Sequence, residues 1–320
     1  MKWIQFKIQI ALFLIRFPLA QKQKYLYLTY EALNEQDGLG SQLQKIMGVY
    51  SVARYANISY VHTPIQQVMW HPLDLQASEL SSEQLLAEYN SVFKFPSAEL
   101  VQFDKEYISH EISVSKFIRV MYASVFRRRL TLISITRPYS IVDLDPNMYK
   151  VVKSALSSWP ARDSQLQKTI TLHIRQGVPS RTLPMKYFED LLHDIVLEFG
   201  YKDNLAITIL TDLPSAPKNY EVEESQKALW EAGGFLSTDR NLLVPESQSF
   251  IKFTSQYKNV TVKFGGDVLD ALYAMESADH FLMSKSSLSF VGAVLNQKGK
   301  IYFPSDFYHP PMQDWKLIPR

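Results

Sequence analysis

From Lys24 onward, runs of β-branched and aromatic residues alternate with stretches of helical periodicity, and this alternation restricts the chain to few architectures. KYLYLTY (24–30) reads as a buried strand, and a loop, EALNEQDGLG (31–40), follows it. The spacing then predicts a helix from a Ser41 cap to about Ala56, with Leu43, Ile46, Met47 and Tyr50 on one face. ISYVH (58–62) is the next strand. Strand, helix, strand in this order is a βαβ unit, and its crossover makes the two strands parallel.

The same alternation returns in the second half. KTITLHIR (168–175), NLAITILT (204–211), NVTVKF (259–264), HFLMS (280–284) and KIYF (300–303) read as strands. Between them PMKYFEDLLHDIVLEFG (184–200), Asp267 to Ser277 and SLSFVGAVL (287–295) read as helices. The middle is less regular. SSEQLLAEYNSVF (81–93) carries Ser81 and Gln84 at capping-box spacing, and SKFIRVMYASVFRRRL (115–130) reads as an amphipathic helix. Asp145-Pro146 opens a predicted helix to about Ser158, Trp159-Pro160 ends it, and ARDSQ (161–165) is the best linker. The expected organisation is an N-terminal segment (1–23), an α/β domain (24–160) and a Rossmann-like domain (161–320).

Composition narrows the chemistry. The chain has no cysteine, which excludes disulfide frameworks, thiolate metal sites and cysteine nucleophiles, and sits poorly with a secreted protein. A cytoplasmic location is the expectation. Thirty-four basic residues against 32 acidic leave a net charge of +2, too little field for nonspecific binding of nucleic acid. Neither G-x-S-x-G nor H-E-x-x-H occurs, and the seven histidines show no metal-ligand spacing.

Residues 1–20, MKWIQFKIQIALFLIRFPLA, hold an uncharged apolar run only from Ile8 to Ile15. That is far short of the ~20 residues of a spanning helix. Two readings stay open: a helix lying on a membrane surface, or an element packed on the domain. Arg127, Arg128 and Arg129 form the one basic block, either a solvated helix end or a contact for anionic lipid or an anionic substrate.

Three loops follow predicted strands at their carboxyl ends, the edge where ligands bind in open α/β sheets. The first is Asp37-Gly38-Leu39-Gly40-Ser41-Gln42, either an ordinary turn before a helix or a seat for an anion or a sugar hydroxyl. The second is His173-Ile174-Arg175-Gln176-Gly177. A guanidinium there is either a bidentate clamp for a diphosphate or the partner of a carboxylate. The third runs from Gly265 to Phe290. In it Asp267 and Asp270 open a helix, where acids suit the macrodipole, and Ser286, Ser287 and Ser289 stand at a strand–helix turn that is either an ordinary serine cap or a hold for phosphate.

Taken together, an N-terminal GxGxQ turn, a central HxRxG strand end and an acidic helix leading to S-S-x-S resemble the fucosyltransferase superfamily, including its α-1,2-, α-1,6- and protein O-fucosyltransferases. The resemblance covers about forty residues in three patches. It implies a GT-B-like α/β fold, two Rossmann-type domains with a cleft between them, and an inverting, metal-independent glycosyltransferase of polysaccharide biosynthesis. It implies a nucleotide-sugar donor, GDP-fucose first, as substrate, no further cofactor, and a glycan acceptor. Arg175 would hold the β-phosphate, supported by His173 and Gly177. Ser286, Ser287 and Ser289 would sit by the phosphates, and Asp270 or Asp267 would accept from a guanine edge. Gly40, Ser41 and Gln42 would reach the donor from the other domain, and Asp37, ahead of His62 and His71, is the candidate base. Two positions depart from the family pattern: Val178 stands where it has Asp, and Ser41 where it has Asn.

Three other readings compete, one of them a membrane-surface scaffold that rests on residues 1–20 and Arg127–Arg129. Ser140-Ile141-Val142 read as a strand running into Asp143 and Asp145 would make a D-x-D metal site of GT-A type. Val178 would also suit a non-catalytic nucleotide- or glycan-binding relative.

Overall fold

A computed structural model describes residues 2–16, 24–32, 37–68, 80–159, 167–175, 182–198, 205–211, 257, 259–264 and 267–319. The chain divides into two units. One comprises residues 1–68, 86–160 and 309–313, the other residues 69–85, 161–308 and 314–320.

In the first unit, β1 (Leu26–Tyr30), β2 (Ser59–Val61), β3 (Lys105–Glu111) and β4 (Thr131–Arg137) form a parallel sheet in the order β2-β1-β4-β3. The two inner strands are the apolar ones. All of β1 is buried, and so is β4 up to Thr136, as expected of strands covered on both faces. β3, KEYISHE, is a largely exposed edge strand. Between β1 and β2 runs α2 (Leu39–Tyr55), after the N-terminal helix α1 (Lys2–Arg16). Gly48 lets α2 approach the segment after β4, since a Cβ there would lie 2.6 Å from Pro138 Cγ.

Several expectations change here. α2 starts at Leu39 behind Gly38, two residues before the predicted Ser41 cap, so Gly40 and Ser41 lie in its first turn. α3 (Ser82–Val92) carries the predicted capping box: Ser81 N donates to Gln84 Oε1 at 2.8 Å, and Gln84 N to Ser81 Oγ at 3.2 Å. α4 (Val114–Phe126) starts at a Ser113 cap and ends before the three arginines. The predicted helix at 145–158 is a 3-10 helix, Pro146–Val151, and a single α-turn, Val152–Ala155. Tyr139–Val142, read as a strand, is one helical turn.

In the second unit, β5 (Lys168–Ile174), β6 (Leu205–Thr211), β7 (Val260–Phe264), β8 (His280–Leu282), β9 (Lys300–Pro304) and β10 (Lys316–Ile318) pair in parallel as β10-β9-β8-β5-β6-β7. Counted from β5 this is 3-2-1-4-5-6, the doubly wound order of dinucleotide-binding sheets. Among the described residues of this unit the longer helices are α5 (Met185–Glu198), α6 (Val268–Ser277) and α7 (Ser287–Leu295). Leu191, Leu192 and Ile195 of α5 pack on Ile170 and Leu172 of β5 and Ile207 and Ile209 of β6. α6 and α7 meet where Gly292 leaves room for Met275, whose Cβ would lie 2.7 Å from an added Cβ. Both units are therefore parallel, Rossmann-like α/β structures.

Candidate functional site

In the second unit the chain winds outward from β5 through β6 to β7, then returns to β8 on the other side of β5. The winding reverses between β5 and β8, and crevices at such a reversal, beyond the carboxyl ends of the strands, bind ligands. β5 delivers His173 and Arg175 there, and the segment after β8 delivers Ser284, Lys285 and Ser286. The sequence therefore folds two of its three motifs to one edge of one sheet.

The side chains are knitted together. His173 Nδ1 and Ser289 Oγ share a hydrogen bond of 2.5 Å, although they lie 116 residues apart in the chain. Ser284 N donates to Ser289 Oγ at 3.2 Å, and the two serine hydroxyls lie 3.0 Å apart. The network is satisfied when Ser289 donates its proton to Nδ1, which leaves the ring proton on Nε2. All three residues are buried. Arg175, half-buried, stands just past the end of β5.

α7 begins in this network. Ser286 is its N-cap, accepting from Leu288 N at 3.2 Å. Ser287 Oγ lies 2.7 Å from the Tyr308 hydroxyl, and Lys285 Nζ donates to Asp306 at 3.2 Å. A helix start and several hydroxyls thus share one edge, where the Lys285 ammonium is already paired with Asp306, and a helix start favours a negatively charged ligand. Asp267 caps α6 by accepting from Leu269 N at 2.8 Å, and Asp270 is exposed in the first turn. Gly177 and Val178 lie outside the described residues, as does His71.

In the first unit β1 and β4 are the inner neighbours of the order β2-β1-β4-β3. Asp37 follows β1 and forms an ion pair with the buried Lys45 of α2. Burial, and then the Arg137 guanidinium at the end of β4, push Lys45 down to about 8. Gln42 is buried, and its side-chain nitrogen donates to the carbonyls of Asp37 at 3.0 Å and Gln67 at 2.5 Å. It braces the loop around Asp37 with the group that was expected to reach a donor. His62, just past β2, is held below the usual histidine range by burial and then by Lys94. Its imidazole is neutral at pH 7.

The D-x-D carboxylates follow a helical turn and have other partners. Asp143 binds His309 Nδ1 through both oxygens, at 2.9 and 3.1 Å, and Asp145 pairs with Lys7 at 2.8 Å. Among the described residues, no group of three or more His, Asp or Glu is arranged to hold a metal ion.

Ser284, Lys285 and Lys45 do not stand out in the sequence. The first two adjoin the serine turn, so proximity to it is the available signal. Lys45 sits on a helix face that reads as ordinary polar surface.

No protein-family model matches the chain, and no curated protein matches its sequence. Among solved structures, it is similar to E. coli heptosyltransferase WaaC with ADP, at 9% identity and a TM-score of 0.37 over 92% of this chain and 93% of that one. It is similar to E. coli ADP-heptose LPS heptosyltransferase II, at 12% identity and 0.34 over 92% and 90%. It is also similar to a glycosyl transferase of family 9 from Veillonella parvula, at 12% and 0.38 over 94% and 87%. Likenesses this distant carry no assignment of function, which rests on the residues of the chain itself.

Proposed function

We propose that this chain is a glycosyltransferase, inverting and metal-independent, that moves a sugar from a nucleotide-sugar donor, GDP-fucose first, to a glycan acceptor. One observation carries the reading. The His173–Ser289–Ser284 network ties β5, just before Arg175, to the first turn of α7 at the winding reversal of a 3-2-1-4-5-6 sheet. The central and C-terminal motifs of the resemblance meet there in space.

In the proposed reaction an acceptor hydroxyl attacks the anomeric carbon opposite the diphosphate. The new C–O bond forms as the old one breaks, and the nucleoside diphosphate leaves with the electron pair. Its charge is met by the Arg175 fork, by the amides at the start of α7, and by the hydroxyls of Ser286 and Ser287. Ser289 holds His173 in one orientation and tautomer. Asp267 spends one oxygen on its cap, so Asp270 is the group assigned to the guanine edge. The base for the acceptor proton is assigned to Asp37, which Lys45 orients, ahead of His62. Gly40 lies in the first turn of α2, where the helix start favours negative charge.

The test is the melting temperature of the protein with GDP, GDP-fucose, and UDP and ADP sugars. A ligand that binds only the folded chain at a hundredfold excess over its Kd stabilises it by about 2.7 kcal/mol. GDP compounds are expected to raise the melting temperature. A shift with UDP or ADP sugars alone reassigns the donor, and no shift with any of them removes the reading.

A further inference from the structure

Helix α1 has two apolar faces, and only one of them is used. Ile10 and Phe13 are buried, with the Phe13 ring edge-on to Tyr122 of α4 at 5.2 Å. On the other side Ile4, Ile8, Leu12 and Ile15 are 55, 52, 50 and 81% exposed. At 3.6 residues per turn these positions make one stripe along the helix, which at 15 residues is about 22 Å long. Single exposed apolar residues are ordinary, whereas a continuous stripe marks a surface that meets something.

The stripe continues onto α4. Leu12 and Ile15 line a groove of about 840 Å³ together with Phe126 and Arg127. Phe126 is 74% exposed. The chain then turns through Arg128, whose φ is +49°, and Arg127, Arg128 and Arg129 are all exposed. Arg16 and Arg119 line the same groove. The stretches of sequence around these two helices, residues 1–30 and 112–142, contain no aspartate or glutamate, in a chain that is otherwise nearly balanced in charge.

An apolar stripe rimmed by Arg16, Arg119 and Arg127–Arg129, with Asp104 beside Leu130 as an acidic neighbour, fits one partner best. We infer that this face seats the first unit on the surface of an anionic bilayer. α1 lies in the plane of the interface, its exposed stripe and Phe126 enter the boundary between headgroups and acyl chains, and Arg127–Arg129 meet the lipid phosphates. No helix among the described residues is long and apolar enough to cross a membrane, so contact here runs along the surface. A second copy of the chain is a poorer fit, because a symmetric contact sets these arginines against their own counterparts. The inference rests on this surface alone and is independent of the donor site.

The experiment is co-sedimentation of the full chain with vesicles of phosphatidylcholine alone, and of phosphatidylcholine mixed with phosphatidylglycerol. Binding is expected to the anionic vesicles at low salt and to weaken as salt rises. Replacing Arg127, Arg128 and Arg129 together with Gln is expected to weaken it on the order of a hundredfold, at about 1 kcal/mol for each arginine near the surface. The double substitution Ile8→Glu and Ile15→Glu is expected to abolish it. Both variants should melt with the unaltered protein, because the changed side chains are exposed. Equal binding to neutral vesicles, or none to anionic ones at low salt, overturns the inference. So does a dimer in sedimentation equilibrium that Ile15→Glu dissolves, which would give this face to a second copy.

Discussion

Arg175 stands one residue past β5, half-buried at the mouth of the sheet, and the proposed chemistry turns on its shape as well as its charge. A guanidinium meets two phosphate oxygens at once, whereas an ammonium is a point charge. Arg175→Lys is therefore expected to impair turnover almost as much as Arg175→Ala. Losing one such donor costs about 2.7–4 kcal/mol of transition-state stabilisation, or roughly two to three orders of magnitude in rate. Both variants should keep the parent's melting temperature. Full activity in a folded Arg175→Ala would remove the mechanism. At this scale the sequence is partly legible. Asp267 and Ser286 are readable as caps, because capping is a matter of neighbours two and three residues away. The bond between His173 and Ser289 is not, since nothing local links a strand to a helix 116 residues later.

Among the elements, β8 carries a pH dependence. His280 is buried, and its Nδ1 lies 2.8 Å from the hydroxyl of Tyr302 on β9, the rings stacked at 5.8 Å. Burial, and then the Lys300 ammonium, hold His280 down at about 4. Between the ordinary histidine value of 6.5 and about 4 the unfolded chain binds the proton and the folded chain does not. Stability from this residue is thus complete above that window and lost as pH falls through it, in total on the order of 3 kcal/mol. Urea melts at pH 7.5 and 4.5 should show His280→Gln losing less stability on acidification than the parent. Equal losses would mean that other groups control the acid limb. The elements that sequence reading misses have physical reasons. β3 is an exposed edge strand, so its charged residues show no buried pattern. β10 spans only Lys316–Ile318. β4, TLISITR, does carry the β-branched pattern of a buried strand.

For the molecule as a whole, the partners of Asp143 and Asp145 bear on metal dependence. With His309 and Lys7 already on these carboxylates, the shift in melting temperature produced by GDP-fucose is expected to be the same in EDTA as in Mn²⁺. A shift that appears only with Mn²⁺ would bring back the D-x-D reading. The sequence alone determined that this chain builds parallel α/β sheets, because apolar runs, helical periodicity, caps and turn residues are local patterns that the backbone obeys locally. The lack of cysteine likewise excludes thiolate chemistry outright, because no fold can position a side chain that the sequence does not contain. Tertiary structure alone decided which strands are neighbours, which motifs share an edge, and which of the two apolar faces of α1 is covered. A strand's hydrogen bonds are satisfied by any suitable neighbour, and a helix with two apolar faces can bury either. The choice falls to long-range packing, where the whole chain must cover its apolar surface at once.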